Sequence, residues 1–366
     1  MFTMKDTQKT VFVGLSGGVD SSVSAALLKD QGYNVVGVFI RTWQPDWIEC
    51  TWRDERRDAM RVCAHLNVPF VTLDLEKEYK EGVADYMIEE YREGRTPNPD
   101  VMCNKEVKFG GFLKWAKKHK ADFVATGHYT RNKFLDNRYH LLEGKDKEKD
   151  QSYFLWTLTQ NQLGHILFPV GDMPKSKVRK EAERFNLPTA KKKDSQGVCF
   201  IGEIDMKDFL GHYIEEKKGD VLNKKGKVIG HHNGAILFTM GERHGFTITE
   251  KGTEDEVVFV VDKNIDKNTI TVAPKIKPDN KDNDLTGYTT EVNLIKTNWI
   301  PSSYPPFGKD FEARIRYRGE RIKCNFMHVR DNTALVVFEK PVWGVSSGQS
   351  LVVYDKEDCI GGGIIS

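Results

Sequence analysis

Seven consecutive residues, Ser16-Gly17-Gly18-Val19-Asp20-Ser21-Ser22, gather hydroxyls, permissive backbone and a carboxylate in one short stretch. Five mostly apolar residues, Val11 to Leu15, precede it and read as a buried strand. Val23, Ala26 and Leu27 follow at the spacing of one helix face, and Gly32 suits the position just past the helix end. A loop joining a strand to a helix turns backbone N–H groups toward whatever lies above the sheet edge. The positive end of the helix adds to the attraction, so the chemistry is anion binding, most often of a phosphate. Gly17 and Gly18 allow close backbone approach, and the serines supply further donors. The stretch has neither the lysine of GxxxxGK[ST] nor the spacing of GxGxxG, so neither of those nucleotide loops applies.

Two cysteines stand in settings that permit sulfur chemistry without establishing it. Cys103 lies in PNPDVMCNKEVKF (97–109), three residues after Asp100 and just ahead of a helix expected over 107–119. A thiol near a helix N-terminus has its thiolate favoured, and Lys105 and Lys108 add positive field. An ordinary capping loop with a half-buried cysteine is the competing reading. Cys199 lies in DSQGVCFIG (194–202), after Lys191-Lys192-Lys193, a basic run that reads first as a solvated face.

The elements that must position these residues alternate. Strands are expected at 35–40, 70–75 and 122–126, with helices over 53–66 and 77–93. Cys63 reads as a buried structural thiol. Near-continuous apolar strands alternating with helices indicate a doubly wound parallel sheet of the α/β class. Ligands of such sheets sit beyond the carboxyl ends of the strands, so Ile40, Thr126, Gly127 and His128 share an edge with the phosphate loop. From about 219 the texture changes to short β-rich runs, including Val257 to Asp262 and Thr269 to Val272. A polar stretch, 275–286, reads as a linker, and further strands are expected near 311–317, 322–329, 333–339 and 350–354. The domains expected are therefore 1–205, 206–276 (a small central β domain) and 285–366 (a C-terminal β-barrel).

Composition sets the bounds. The 366 residues are 39% hydrophobic and 30% charged, which describes a globular protein with ample core. The net charge of +2 requires any nucleic-acid surface to be local. No run approaches the ~18 apolar residues of a membrane helix, and MFTMKDTQKT has no apolar signal core. Six scattered cysteines without CxxC argue for reduced thiols in a cytoplasm and against a structural metal site. Within Glu312 to Arg318, period-two spacing would put Arg314, Arg316 and Arg318 on one strand face, a cationic stripe suited to phosphates.

SGGVDSS resembles the pyrophosphate loop (PP-loop) of ATP pyrophosphatases, which cleave ATP between its α and β phosphates. With TPNPDVMCNKEVKF, ATGHYT, KDQSYFL, DSQGVCFIGE and FTMGERHGF in order, the chain resembles the tRNA-specific 2-thiouridylases of the MnmA family. The resemblance implies a PP-loop domain followed by a central β domain and a C-terminal barrel. It implies ATP, with Mg²⁺, held by Gly14, Leu15, Ser16, Gly17, Gly18, Val19, Asp20, Ser21, Ile40 and Gly127. Asn98, Pro99 and Asp100 would meet the target base, with Asp100 as acid/base. Cys103 would be the nucleophile and Cys199 the persulfide carrier. His128, Lys149, Asp150, Gln151, Arg316, Tyr317 and Gln349 would contact tRNA. A sulfur-donor protein and a reductant for a Cys103–Cys199 disulfide are implied as partners. Two positions depart from the family pattern: Ile40 where a Met is usual, and Val345-Ser346-Ser347-Gly348 where a Pro-Gly-Gln turn precedes Gln349. The rivals are a PP-loop enzyme acting on a small acceptor, and a tRNA-binding module with a degenerate loop.

Overall fold

A computed structural model describes residues 8–48, 52–193, 206–249, 256–276 and 285–366. Cys50, Cys199 with the DSQGVCFIG loop, and most of the 275–286 stretch lie outside the described residues.

The first body is built on a five-stranded parallel sheet. Its strands are β1 (Thr10–Gly14), β2 (Asn34–Arg41), β3 (Phe70–Asp74), β4 (Phe123–Ala125) and β7 (Ile166–Leu167), in the order β3-β2-β1-β4-β7. Val11 and Val13 are fully buried because helices cover both faces, as near-continuous apolar strands require. From β1 the chain winds outward through β2 and β3, then returns to β4 on the other side of β1. The order reverses at β1, which opens a crevice above the ends of β1 and β4.

Helix α1 (Val19–Asp30) leaves β1 through the serine-glycine loop, and α2 (Trp52–His65) follows β2. Val23, Ala26 and Leu27 are buried on α1, on the face their spacing predicted. Two longer helices carry π-helical interiors. Helix α3 spans 76–92, with Lys80–Asp85 in π geometry, and α4 spans 99–118, with Cys103–Phe112 in π geometry. Helix α4 begins earlier than the expected 107–119. Asn98 caps it, its Oδ1 accepting from Val101 N–H at 3.2 Å, and Pro99 occupies the first turn. Cys103 therefore lies inside the helix rather than ahead of it.

A hairpin of β5 (Thr130–Leu135) and β6 (Arg138–Glu143) leaves this body, and short α5 (Gln160–Leu163) and longer α6 (Lys175–Arg184) complete it. After α7 (Met206–Gly211) comes a second sheet of β8 (Gly219–Leu222), β9 (Val228–His232), β10 (Phe246–Ile248), β11 (Val258–Asn264) and β12 (Thr269–Pro274). Val221, Phe238, Val260, Ile270 and Val272 form its own small core.

The third body has β13 (Tyr288–Trp299), β14 (Phe311–Arg314), β15 (Ile322–Arg330), β16 (Thr333–Trp343), β17 (Ser350–Asp355) and β18 (Asp358–Ile365). Strand β13 pairs with both β16 and β18, which closes six strands into a barrel. The β5–β6 hairpin joins the same sheet through Leu142 and Asp358. Strand β18 lies beyond the strands expected from the sequence and contains Gly361-Gly362-Gly363. Those glycines admit neighbouring strands: a Cβ on Gly362 would lie 2.3 Å from Leu351 O.

The expected strand 311–317 ends at Arg314. Residues 315–318 bend away and Arg318 has φ +58°, so Arg314, Arg316 and Arg318 share no strand face. No helix among the described residues is long and apolar enough to cross a membrane.

Candidate active site

The serine-glycine loop sits at the reversal point of the sheet. Leu15 N–H donates to Val38 O at 2.8 Å, which fixes the loop's first residue across the tip of β2. Gly17 has φ +72°, and a Cβ there would lie 2.5 Å from Glu55 O on α2, so only glycine fits this turn. Ser16 and Ser21 hydroxyls lie 3.3 Å apart across the loop mouth, while Ser22 Oγ donates to Gly18 O at 2.6 Å. Leu15 and Val19 bury their side chains and can offer a ligand only backbone. The first-turn N–H groups of α1 have no partner within the helix and point out of this loop. Gly127 packs on them: its Cβ would come within 2.7 Å of Ser21 N, so β4's end and α1's start form one wall. Gly14 lies at the end of β1, and Ile40, half-buried, at the end of β2.

Asp20 is the charged centre of that wall. Its carboxylate accepts from Lys175 Nζ at 2.8 and 2.9 Å and from the Tyr129 hydroxyl at 2.7 Å. Lys175 starts α6, its own N–H donating to Asp146 Oδ2 at 2.8 Å. Sequence reading missed it. A lysine at the head of an ordinary polar helix carries no local signal, and its partner is 155 positions away. With the α1 N-terminus it makes a site for anionic oxygens.

Asp100 and Cys103 both lie on α4. Asp100 is in the first turn of α4; burial pushes its carboxyl pKa up, and Lys108 pulls it back down. His128 is held neutral, its pKa driven well below the usual imidazole range by burial, with Lys108 acting in the same direction. Its Nδ1 shares a 2.8 Å hydrogen bond with Thr126 Oγ1, and its ring lies among Phe109 and Phe168. Lys108 thus bears on Asp100 and on His128 together, linking the α4 helix to the end of β4. Cys103 is 4% exposed, one turn of α4 beyond Asp100. Burial lifts the thiol pKa of Cys63 to about 11 and that of Cys324 to about 12, which keeps them inert.

The remaining expected contacts spread along the junction with the C-terminal barrel. Asp150 is 2% exposed and accepts from Gly144 N–H, Ser152 and Arg314, so its side chain shapes the 144–152 loop from inside. Gln151 accepts from Tyr129 N–H at 3.0 Å. Lys149 lines a shallow cavity of about 450 Å³ with Lys147, Arg314 and Arg318. Arg316 is exposed and donates to Gly344 O at 2.9 Å. Tyr317 packs on Phe154 with ring centroids 4.4 Å apart. Gln349 and Asn98 face one another's segments: Gln349 Nε2 donates to Thr96 O and Pro97 O. His128 is buried.

Three domain families match in sequence: the tRNA methyl transferase HUP domain over 9–203, the tRNA methyl transferase PRC-barrel domain over 207–274, and the aminomethyltransferase beta-barrel domain over 289–365. The tRNA-specific 2-thiouridylase MnmA 2 of Geobacillus kaustophilus is 43% identical over 358 residues, covering 97% of this chain and 94% of that one. The MnmA of Halalkalibacterium halodurans is 43% identical over 370 residues, covering 100% and 96%. The chain belongs to the tRNA-specific 2-thiouridylase family. The Idiomarina loihiensis 2-thiouridylase MnmA, 42% identical, covers 99% of it, so the family likeness extends through both barrels. Among solved structures, the U34-tRNA thiolase NcsA from Methanococcus maripaludis is similar at 18% identity and TM-score 0.36, covering 57% of this chain and 65% of that one. At that level the likeness adds nothing to the assignment to the 2-thiouridylases.

Proposed function

We propose that this chain is a tRNA 2-thiouridylase that activates the C2 carbonyl of the wobble uridine with ATP and replaces its oxygen by sulfur. The observation that carries the reading is a pair of half-sites in a 2-thiouridylase-family chain, linked through Lys108, which acts on Asp100 and on His128 beside Gly127. One is a phosphate wall of α1, Gly127 and Lys175; the other is the Asp100–Cys103 face of α4. A small-acceptor enzyme would give the second half no task.

Uracil C2 is a poor electrophile because its oxygen cannot leave. In this reading O2 attacks the α-phosphorus of ATP, and pyrophosphate departs toward the α1 N-terminus and Lys175. Attack by O2 makes the N3 proton acidic. Asp100, with its pKa raised by burial, is suited to take it. The terminal sulfur of a Cys199 persulfide then supplies the nucleophile at C2, and the original oxygen leaves with AMP. Cys103 attacks the inner sulfur of Cys199 in either order: after the outer sulfur has bonded to C2, which frees the thiocarbonyl, or before, which expels the outer sulfur as hydrosulfide to attack C2; each leaves a Cys103–Cys199 disulfide. In both routes the two cysteines supply two electrons, which a cellular reductant returns. Asp20 and the loop serines are hard oxygen donors of the kind that suits Mg²⁺, which would screen the phosphates when bound with ATP. Lys175 holds Asp20 in the meantime.

The test is nucleoside mass spectrometry of tRNA after reaction with ATP and a persulfide donor, with adenine nucleotides followed in parallel. The expected product is 2-thiouridine, with AMP and pyrophosphate. ADP, or a methylated base, overturns the reading. Lys175→Met should lower pyrophosphate release by about 100-fold while tRNA binding persists.

A further inference from the structure

The loop that carries Asn98, Pro99 and Asp100 is held from outside its own domain. Thr96 is 7% exposed, and each of its polar groups meets another body of the protein. Its N–H donates to Ser347 O at 2.8 Å. Its carbonyl accepts from Gln349 Nε2 at 2.9 Å, and its hydroxyl lies 3.2 Å from Thr239 Oγ1 of the central β domain. The same Nε2 donates to Pro97 O at 3.1 Å. A carboxamide has two N–H donors, and these two consecutive carbonyls take both. Turning the amide over would set Oε1 against two carbonyl oxygens, so the network fixes its orientation.

Gln349 is itself fixed. Its carbonyl accepts from Ile365 N–H at 2.8 Å on the barrel wall, and its own N–H donates to Ser346 O at 3.3 Å. The approach is close: Gly348 has φ +89°, and a Cβ there would lie 2.9 Å from the Thr96 backbone. Beyond Pro97 the chain has little freedom, since prolines at 97 and 99 fix φ on either side of Asn98. Asn98 caps α4, its Oδ1 accepting from Val101 N–H, and the nearby Tyr153 hydroxyl donates to Ser350 O at 2.8 Å. The barrel thus holds the start of the segment that leads into Asp100, and the Asn98 cap holds its end.

We infer that Gln349 is a positioning residue for the reaction: from the C-terminal barrel it fixes the 96–100 loop that presents Asp100 to the target base. This rests on the tRNA-thiolation reading for its catalytic consequence, but not for its structural one. Gln349→Glu keeps the size and shape while directing carboxylate oxygens at two carbonyls. Gln349→Lys restores donors of similar reach without the amide.

Two measurements are made on the full chain. Amide hydrogen exchange of the tRNA-free protein should be faster across 98–104 in Gln349→Glu than in wild type, and close to wild type in Gln349→Lys. In thiolation assays Gln349→Glu should lower kcat by about 10- to 100-fold, with the tRNA Kd changed by less than about twofold, and Gln349→Lys should recover most of the loss. Unchanged exchange in Gln349→Glu overturns the inference. So does a weakened tRNA Kd with unchanged kcat, which would make Gln349 a direct tRNA contact. If wild type makes no 2-thiouridine, the exchange comparison still decides the clamp, and it is the functional reading that falls.

Discussion

At the scale of single residues, burial marks three of the cysteines as structural. Cys63 and Cys324 have thiols pushed up by burial, and Cys359, fully buried, is pushed further still. Cys103 sits on the Asp100 face of α4, and the proposed carrier Cys199 lies outside the described residues. Cys199→Ser should accept no sulfur from a persulfide donor, while Cys103→Ser should load at Cys199 but yield little 2-thiouridine. Intact-mass analysis of each variant checks this, and persulfide found on Cys103 alone would reverse the roles. His128 yields a prediction in pH. Its folded pKa is depressed, so in acid the unfolded chain binds a proton that the native chain refuses. Stability should therefore fall as pH drops below the unfolded value of ~6.5, by up to about 1.4 kcal/mol per unit from this group. Urea midpoints between pH 7 and 5 should slope less in His128→Gln; equal slopes would assign the loss to other groups. The strand–loop–helix around Gly17 and Gly18 was legible because its logic is local: a strand, two glycines, then a helix. Lys175 and the partners of Gln349 were not, because each acts on residues more than 150 positions away.

At the scale of elements, periodicity served well where a strand or helix ran its full length and failed where the chain turned. The buried face of α1 and the parallel strands followed from apolar spacing. The arginine stripe did not survive, since alternation in Glu312 to Arg318 continues in letters after the strand has ended. Helix α4 was placed too late because the Asn98-Pro99 start signal was read as loop, although cap and first-turn proline together mark a helix start. These differences recast what the arginines do. Arg314 pairs with Glu143 at 3.2 Å and Asp150 at 2.9 Å, carboxylates whose side chains are 6% and 1% exposed. Arg314→Ala should cost about 3 kcal/mol in unfolding experiments, because it leaves buried charge unpaired. Arg318 is exposed at the turn. Arg318→Ala should leave stability unchanged and lower the slope of log K against log salt for tRNA by roughly 0.7 to 0.9. A slope unchanged in Arg318→Ala would remove this turn from the tRNA surface.

At the scale of the whole molecule, the two β bodies are fastened to the nucleotide-binding body by side chains from each. Beyond the Gln349 clamp, the β5–β6 hairpin joins the barrel's sheet, and Glu143 receives Arg314 and Arg321 from across the junction. That junction has a consequence for how the protein is made. Asp150 and its arginine partner are 164 positions apart. At about 5 to 20 residues per second, a ribosome makes Asp150 roughly 8 to 33 s before Arg314 exists. Throughout that interval Asp150 lacks Arg314, and Glu143 has Lys147 but neither Arg314 nor Arg321. The nascent nucleotide-binding body should accordingly wait in a looser form, open at the hairpin. Slow codons between 151 and 314 would lengthen its exposure to proteases and chaperones without changing a single residue of the finished enzyme.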